Sequence, residues 1–139
     1  MNYLFVIGGV ALVAIILLAI YEAYRLKHNE EPESISDLVN DMADDRLAVD
    51  YLDSHDLTSW FRTKNSDGKK KGVLIYPNEA DMTNYKLPNS IKLGSDKIII
   101  QALLDDSDNI VLCRSVMFTS MNPTLEKLFH DNEGVIIVE

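Results

Sequence analysis

The chain has 139 residues, a formal net charge of −9 and one cysteine. That length supports one domain, and a lone cysteine excludes a disulfide-stapled scaffold. The acidic balance argues against binding nucleic acid, which needs the opposite sign.

From Tyr3 to Tyr21 every residue is apolar or aromatic except Gly8 and Gly9, and Glu22 is the first charge. Nineteen helical residues would span about 28 Å, close to the thickness of a bilayer core. Tyr3, Tyr21 and Tyr24 stand at the two ends, where aromatic side chains favour the membrane interface. Met1-Asn2 supplies no basic leader, so the run reads as a retained transmembrane anchor over residues 1–25 and not as a cleaved signal. Gly8, Gly9, Ala11 and Ala14, with Ala19 and Ala23 four apart, would let such helices approach closely and self-associate. Arg25, Lys27 and His28 follow the run, which places the N-terminus outside and the C-terminal domain in the cytoplasm. The single cysteine fits that orientation, as does the lack of an acceptable N-glycosylation triplet: the one match, at Asn122, contains Pro123.

Residues 26–34 form a polar joint containing Pro32. Between residues 30 and 56 there are ten acids against Arg46 alone, whereas residues 57–139 are nearly balanced. The acidic stretch still carries a helical pattern: Ile35, Leu38, Met42, Val49 and Leu52 recur at three- and four-residue spacing or its multiples, with Val39, Ala43 and Leu47 widening the stripe. Ser34 begins a capping-box pattern. A second short helix is expected over 56–62, with Leu57, Trp60 and Phe61 on one face.

The second half changes period. GVLIYP (72–77), KIIIQALL (97–104), NIVLCRSVMF (109–118) and GVIIVE (134–139) are β-branched runs between turn residues, and read as four strands. Residues 105–109 make a hairpin loop between the middle two. Asn122-Pro123 starts a helix whose apolar face is Leu125, Leu128 and Phe129. Residues 78–95 read as a long loop with a short helix at 79–84. Val135–Val138 are all apolar, so that strand should be covered on both faces. The expectation is an α+β fold: a single N-terminal transmembrane helix, then a small soluble domain over 35–139. Its sheet is mostly antiparallel and four-stranded, with two to three helices covering one face.

Chemistry-bearing residues are sparse. His55 lies among Asp53 and Asp56, and His130 precedes Asp131, but no histidine pair is spaced for a metal. Cys113 is mid-strand, with Arg114 directed to the opposite face, and reads as a buried thiol. Residues 105–109 lack the glycine and terminal glutamate of a calcium loop, and residues 65–73 lack the order of a phosphate-cradling loop. No catalytic residue, metal site or cofactor is expected. Arg62, Lys64, Lys69, Lys70 and Lys71 form the one basic island of an acidic chain. Such a loop keeps a neighbouring strand in solution, contacts anionic lipid or a phosphate-bearing ligand, or meets the 30–56 acids of another copy.

The expected function is a membrane-anchored binding or assembly protein. Its partners would be the lipid bilayer and either itself or another membrane-associated protein, with no nucleic acid. The alternative is a ligand-gated membrane effector whose cytosolic head binds a small anionic ligand and reorganises the membrane helices.

Overall fold

The computed structural model describes residues 4–5, 10–79, 87–88, 91–94 and 97–138, with side chains from Ile16 onward. The apolar N-terminal run is not one membrane-length helix. Leu4–Phe5 is a short strand, β1, and α1 spans Val10–His28. Only twelve residues of α1 precede Glu22. That is about 18 Å of apolar helix, little more than half a bilayer core. Its inward residues Ile16, Leu17, Ile20 and Tyr21 are buried in the same cluster as Val73, Ile75 and Ile100 of the sheet. Among the described residues no helix is long and apolar enough to cross a membrane. The expected transmembrane anchor, its single-pass topology and the placement on either side of a bilayer are therefore overturned. The physical reason is that the apolar face of α1 is covered by the protein's own sheet.

The helical stripe expected from residue 35 to residue 52 also divides. α2 is Ile35–Met42, with Ser34 as N-cap accepting from the Asp37 amide. Ala43 is extended, and Asp45–Leu52 is a strand, β2. Asp53 and Asp56 then form a reciprocal capping box at the start of α3, Ser54–Lys64. The four strands read from the β-branched runs follow as β3 (Lys71–Ile75), β4 (Ile98–Leu104), β5 (Ile110–Met121) and β6 (Val135–Val138). α4, Pro123–Asp131, lies between the last two and has Asn122 as its cap.

The sheet order is β1-β6-β3-β4-β5-β2. All neighbours are antiparallel except β2 and β5, which run parallel from Asp45 beside Arg114 to Leu52 beside Met121. The sheet is thus mixed and has five main strands with β1 added at one edge, in place of the four expected. Helices lie on both faces, in place of one. α1 and α2 pack on the face carrying Val73, Ile100, Cys113 and Ile137. α3 and α4 pack on the other, with Leu74, Ile99, Val116 and Ile136. Double coverage explains why β6 reads as an unbroken apolar run and β4 as one interrupted only by Gln101, since every residue of each is buried.

Candidate ligand-binding cleft

The last turn of α3 leads into a tight connection to β3 that is fixed by side chains. The Asn65 amide NH2 donates to the Lys70 carbonyl at 2.8 Å, and its Oδ1 accepts from the Lys70 amide at 3.1 Å. Asn65 thereby stands in for a strand partner across the turn. Asp67 Oδ1 accepts from the Lys69 amide at 3.0 Å, and that bond, with the nearby lysine charges, holds the Asp67 carboxyl below its ordinary range. Gly68 sits at φ +69°, a left-handed value that a side chain would strain. Four residues later a Cβ on Gly72 would come within 2.7 Å of Phe61 Cε1, so glycine there lets the Phe61 ring lie on the β3 backbone.

These features leave a cleft of about 320 Å³. Phe61, Gly72 and Val138 form its apolar side, and Thr58, Arg62, Asn65 and Asp67 contribute polar groups. A second recess of about 260 Å³ shares Gly68 with the first and is lined by Lys69, Lys70, Lys71, Asp105 and Asp106.

The basic island is brought to this region but is largely neutralised. Lys64 pairs with Asp45 at 3.8 Å, Lys70 with Asp67 at 4.0 Å and Lys71 with Asp108 at 2.8 Å. Arg62 and Lys69 are exposed, and neither enters an ion pair among the described residues. The acidic stretch is likewise engaged within the chain. Asp41 holds His28 at 2.7 Å and Lys27 at 3.2 Å, which lowers its carboxyl, the His28 hydrogen bond most of all. Asp44 accepts from the Cys113 amide, and Asp45 from Trp60 Nε1.

His55 is exposed near the start of α3, and His130 Nδ1 lies 3.1 Å from Glu79 at the surface. Among the described residues no three His, Cys, Asp or Glu side chains converge to hold a metal ion. Of the residues assigned to the membrane span, Tyr21 is buried and its hydroxyl donates to Glu31 Oε1. Ala19 is exposed and Ala23 half-buried. Ala11 and Ala14 fall within α1. Tyr3, Gly8 and Gly9 lie outside the described residues, as does most of the short helix expected at 79–84.

Cys113 is 5% exposed, and burial, with Asp44 adding to it, pushes its thiol up to about 12. An unfolded chain would release that proton near pH 9, so this group's contribution is complete below pH 9 and is lost as pH rises toward 12. At pH 8 the native protein should not react with a thiol reagent such as dithionitrobenzoate, and denaturant should release one reactive thiol. Full reaction of the native protein would show that the strand opens readily.

Sequence reasoning missed a polar network inside the α3 face. Arg114, 8% exposed, donates from Nε and Nη2 to Gln101 Oε1 at 2.9 and 2.7 Å. Nη2 also reaches the Asp56 carbonyl at 2.9 Å, and the guanidinium lies 5.3 Å from the Trp60 ring centre. Gln101 Nε2 donates to the Leu57 carbonyl at 2.7 Å. Burial lowers the Arg114 pKa, with Asp45 and Asp56 opposing that shift. The available signal was a long polar side chain within each of two adjacent apolar runs, Gln101 and Arg114, which the hairpin sets side by side.

No protein-family model, curated protein or solved structure matches the chain.

Proposed function

We propose that the chain is a binding module, and that the cleft beside Arg62 takes an anionic group carried on an apolar or aromatic body. The observation that carries this reading is the Arg62 guanidinium, exposed and outside any ion pair among the described residues, lining the same cleft as Phe61 and Val138. A cation beside an apolar surface suits a ligand with one charged end, because each part supplies what the other lacks. The pinned connection supports the reading as well: Asn65, Asp67 and Gly68 set its shape in advance, which reduces the ordering cost of binding. At about 320 Å³ the cleft lies at the small end of ligand sites.

Two simple probes, benzoate and phenyl phosphate, test it by amide NMR titration. Both should shift the Gly68, Gly72 and Val138 amides, and their relative affinity reports whether carboxylate or phosphate is preferred. Arg62→Gln should weaken both about tenfold or more, the scale of one charge-assisted hydrogen bond, without moving the melting temperature. Absence of shifts at these amides, or equal binding by Arg62→Gln, would remove the proposal.

A further inference from the structure

We propose that β2 is an interface with a second copy of this chain, the two β2 strands pairing antiparallel about a two-fold axis at Ala48. The proposal is independent of the cleft. β2 is the edge strand of the sheet, and β5 is its one strand neighbour among the described residues. It is eight residues long and contains no proline, and its register with β5 shows no bulge. Edges of that kind are open templates for another strand.

The backbone fixes which groups are available. The Asp44 amide donates to the Cys113 carbonyl, and the Asp50 and Leu52 carbonyls accept from Ser120 Oγ and the Asn122 amide. Even-numbered residues therefore turn their backbone groups toward β5. Because these directions alternate along a strand, Leu47, Val49 and Tyr51 turn theirs outward.

Charge then chooses the register. A two-fold at Ala48 places Leu47 opposite Val49 of the second copy, both with outward backbone groups, as a hydrogen-bonded pair. It places Ala48 opposite itself in the closer, non-hydrogen-bonded position, where a small residue fits. Arg46 then stands opposite Asp50 of the second copy, and the symmetry repeats that pair. Arg46, Ala48 and Asp50 are all exposed. Arg46 gives Nε and Nη2 to the Asn40 and Asp41 carbonyls, which leaves further guanidinium donors for a carboxylate. A two-fold at Leu47 or Val49 sets Arg46 against Ala48 or Leu52, and one at Asp50 sets two carboxylates face to face. A symmetric partner thus satisfies both charges at once, which an arbitrary strand would not.

Sedimentation of the full chain across a wide concentration range should show a monomer–dimer equilibrium. Asp50→Arg should weaken it at least tenfold, by opposing two arginines. The charge-swapped double variant Arg46→Asp/Asp50→Arg restores opposite charges in the same register and should recover the dimer to within about threefold. Ala48→Cys should form a disulfide-linked dimer under copper phenanthroline, because residue 48 faces its own copy; Cys113 is buried and stays out of the reaction. A chain that is monomeric up to millimolar concentration would overturn the proposal. So would a dimer indifferent to Asp50→Arg, or one that the double variant fails to restore.

Discussion

A chain beginning at Asn29, without β1 and α1, is expected to lose cooperative melting and to bind the dye ANS. Ile16, Leu17, Ile20 and Tyr21 are nearly fully buried, and they cover the sheet face that carries Val73, Ile75 and Ile137. At about 1.5–3 kcal/mol for each buried side chain, the four contribute roughly 6–12 kcal/mol. That matches the whole stability of an ordinary domain, about 5–15 kcal/mol. The single change Leu17→Ala should cost about 2–5 kcal/mol by leaving a cavity on that face. A truncated chain that melts cooperatively as a monomer would show that α1 is peripheral to the core, against its burial.

Gln101→Leu should cost about 3 kcal/mol in urea denaturation, although it replaces a polar core residue with an apolar one of similar size. The Gln101 carbonyl accepts two of the three hydrogen bonds made by the buried Arg114 guanidinium. Charge-assisted bonds of this kind contribute about 1.5–3 kcal/mol each, and a buried charge left short of acceptors loses still more. Replacing both partners, as Gln101→Leu/Arg114→Met, should cost clearly less than the sum of the two single changes, because it removes the charge with its acceptor. Additive costs would mean that the two side chains do not act as a unit.

The parts of the fold legible in the sequence are those whose local pattern and final environment agree. β3, β4, β6 and the buried middle of β5 are readable because strands covered on both faces need mostly apolar runs, and turn residues separate these runs. Asn122-Pro123 likewise gave the start of α4 without tertiary help. β2 was hidden because Leu47 and Val49 fit a spacing of two as well as the helical stripe begun by Ile35. The junction at Ala43-Asp44 carries neither glycine nor proline to mark a change. α1 resembles a membrane span in sequence because its apolar stretch before Glu22 has no polar stripe, and lipid and a sheet face ask for the same residues. At the cleft, the basic cluster is contiguous in sequence and easily seen. Its neutralisation by Asp45 and Asp108 depends on chain crossings that no local spacing encodes.

β6 comes after every other described strand in sequence, yet it lies inside the sheet, joined to β3 on one side and to β1 on the other. On the ribosome, the earliest residues of the sheet must therefore wait for some of the latest. Until Val135–Val138 emerge, β3 keeps an open apolar edge and Leu4–Phe5 has no strand to join. Pairings of such long sequence separation form slowly and leave sticky intermediates in the meantime. The sheet is therefore a late-closing one: β1 and β3 complete their pairing only once the stretch up to Val138 is available to both.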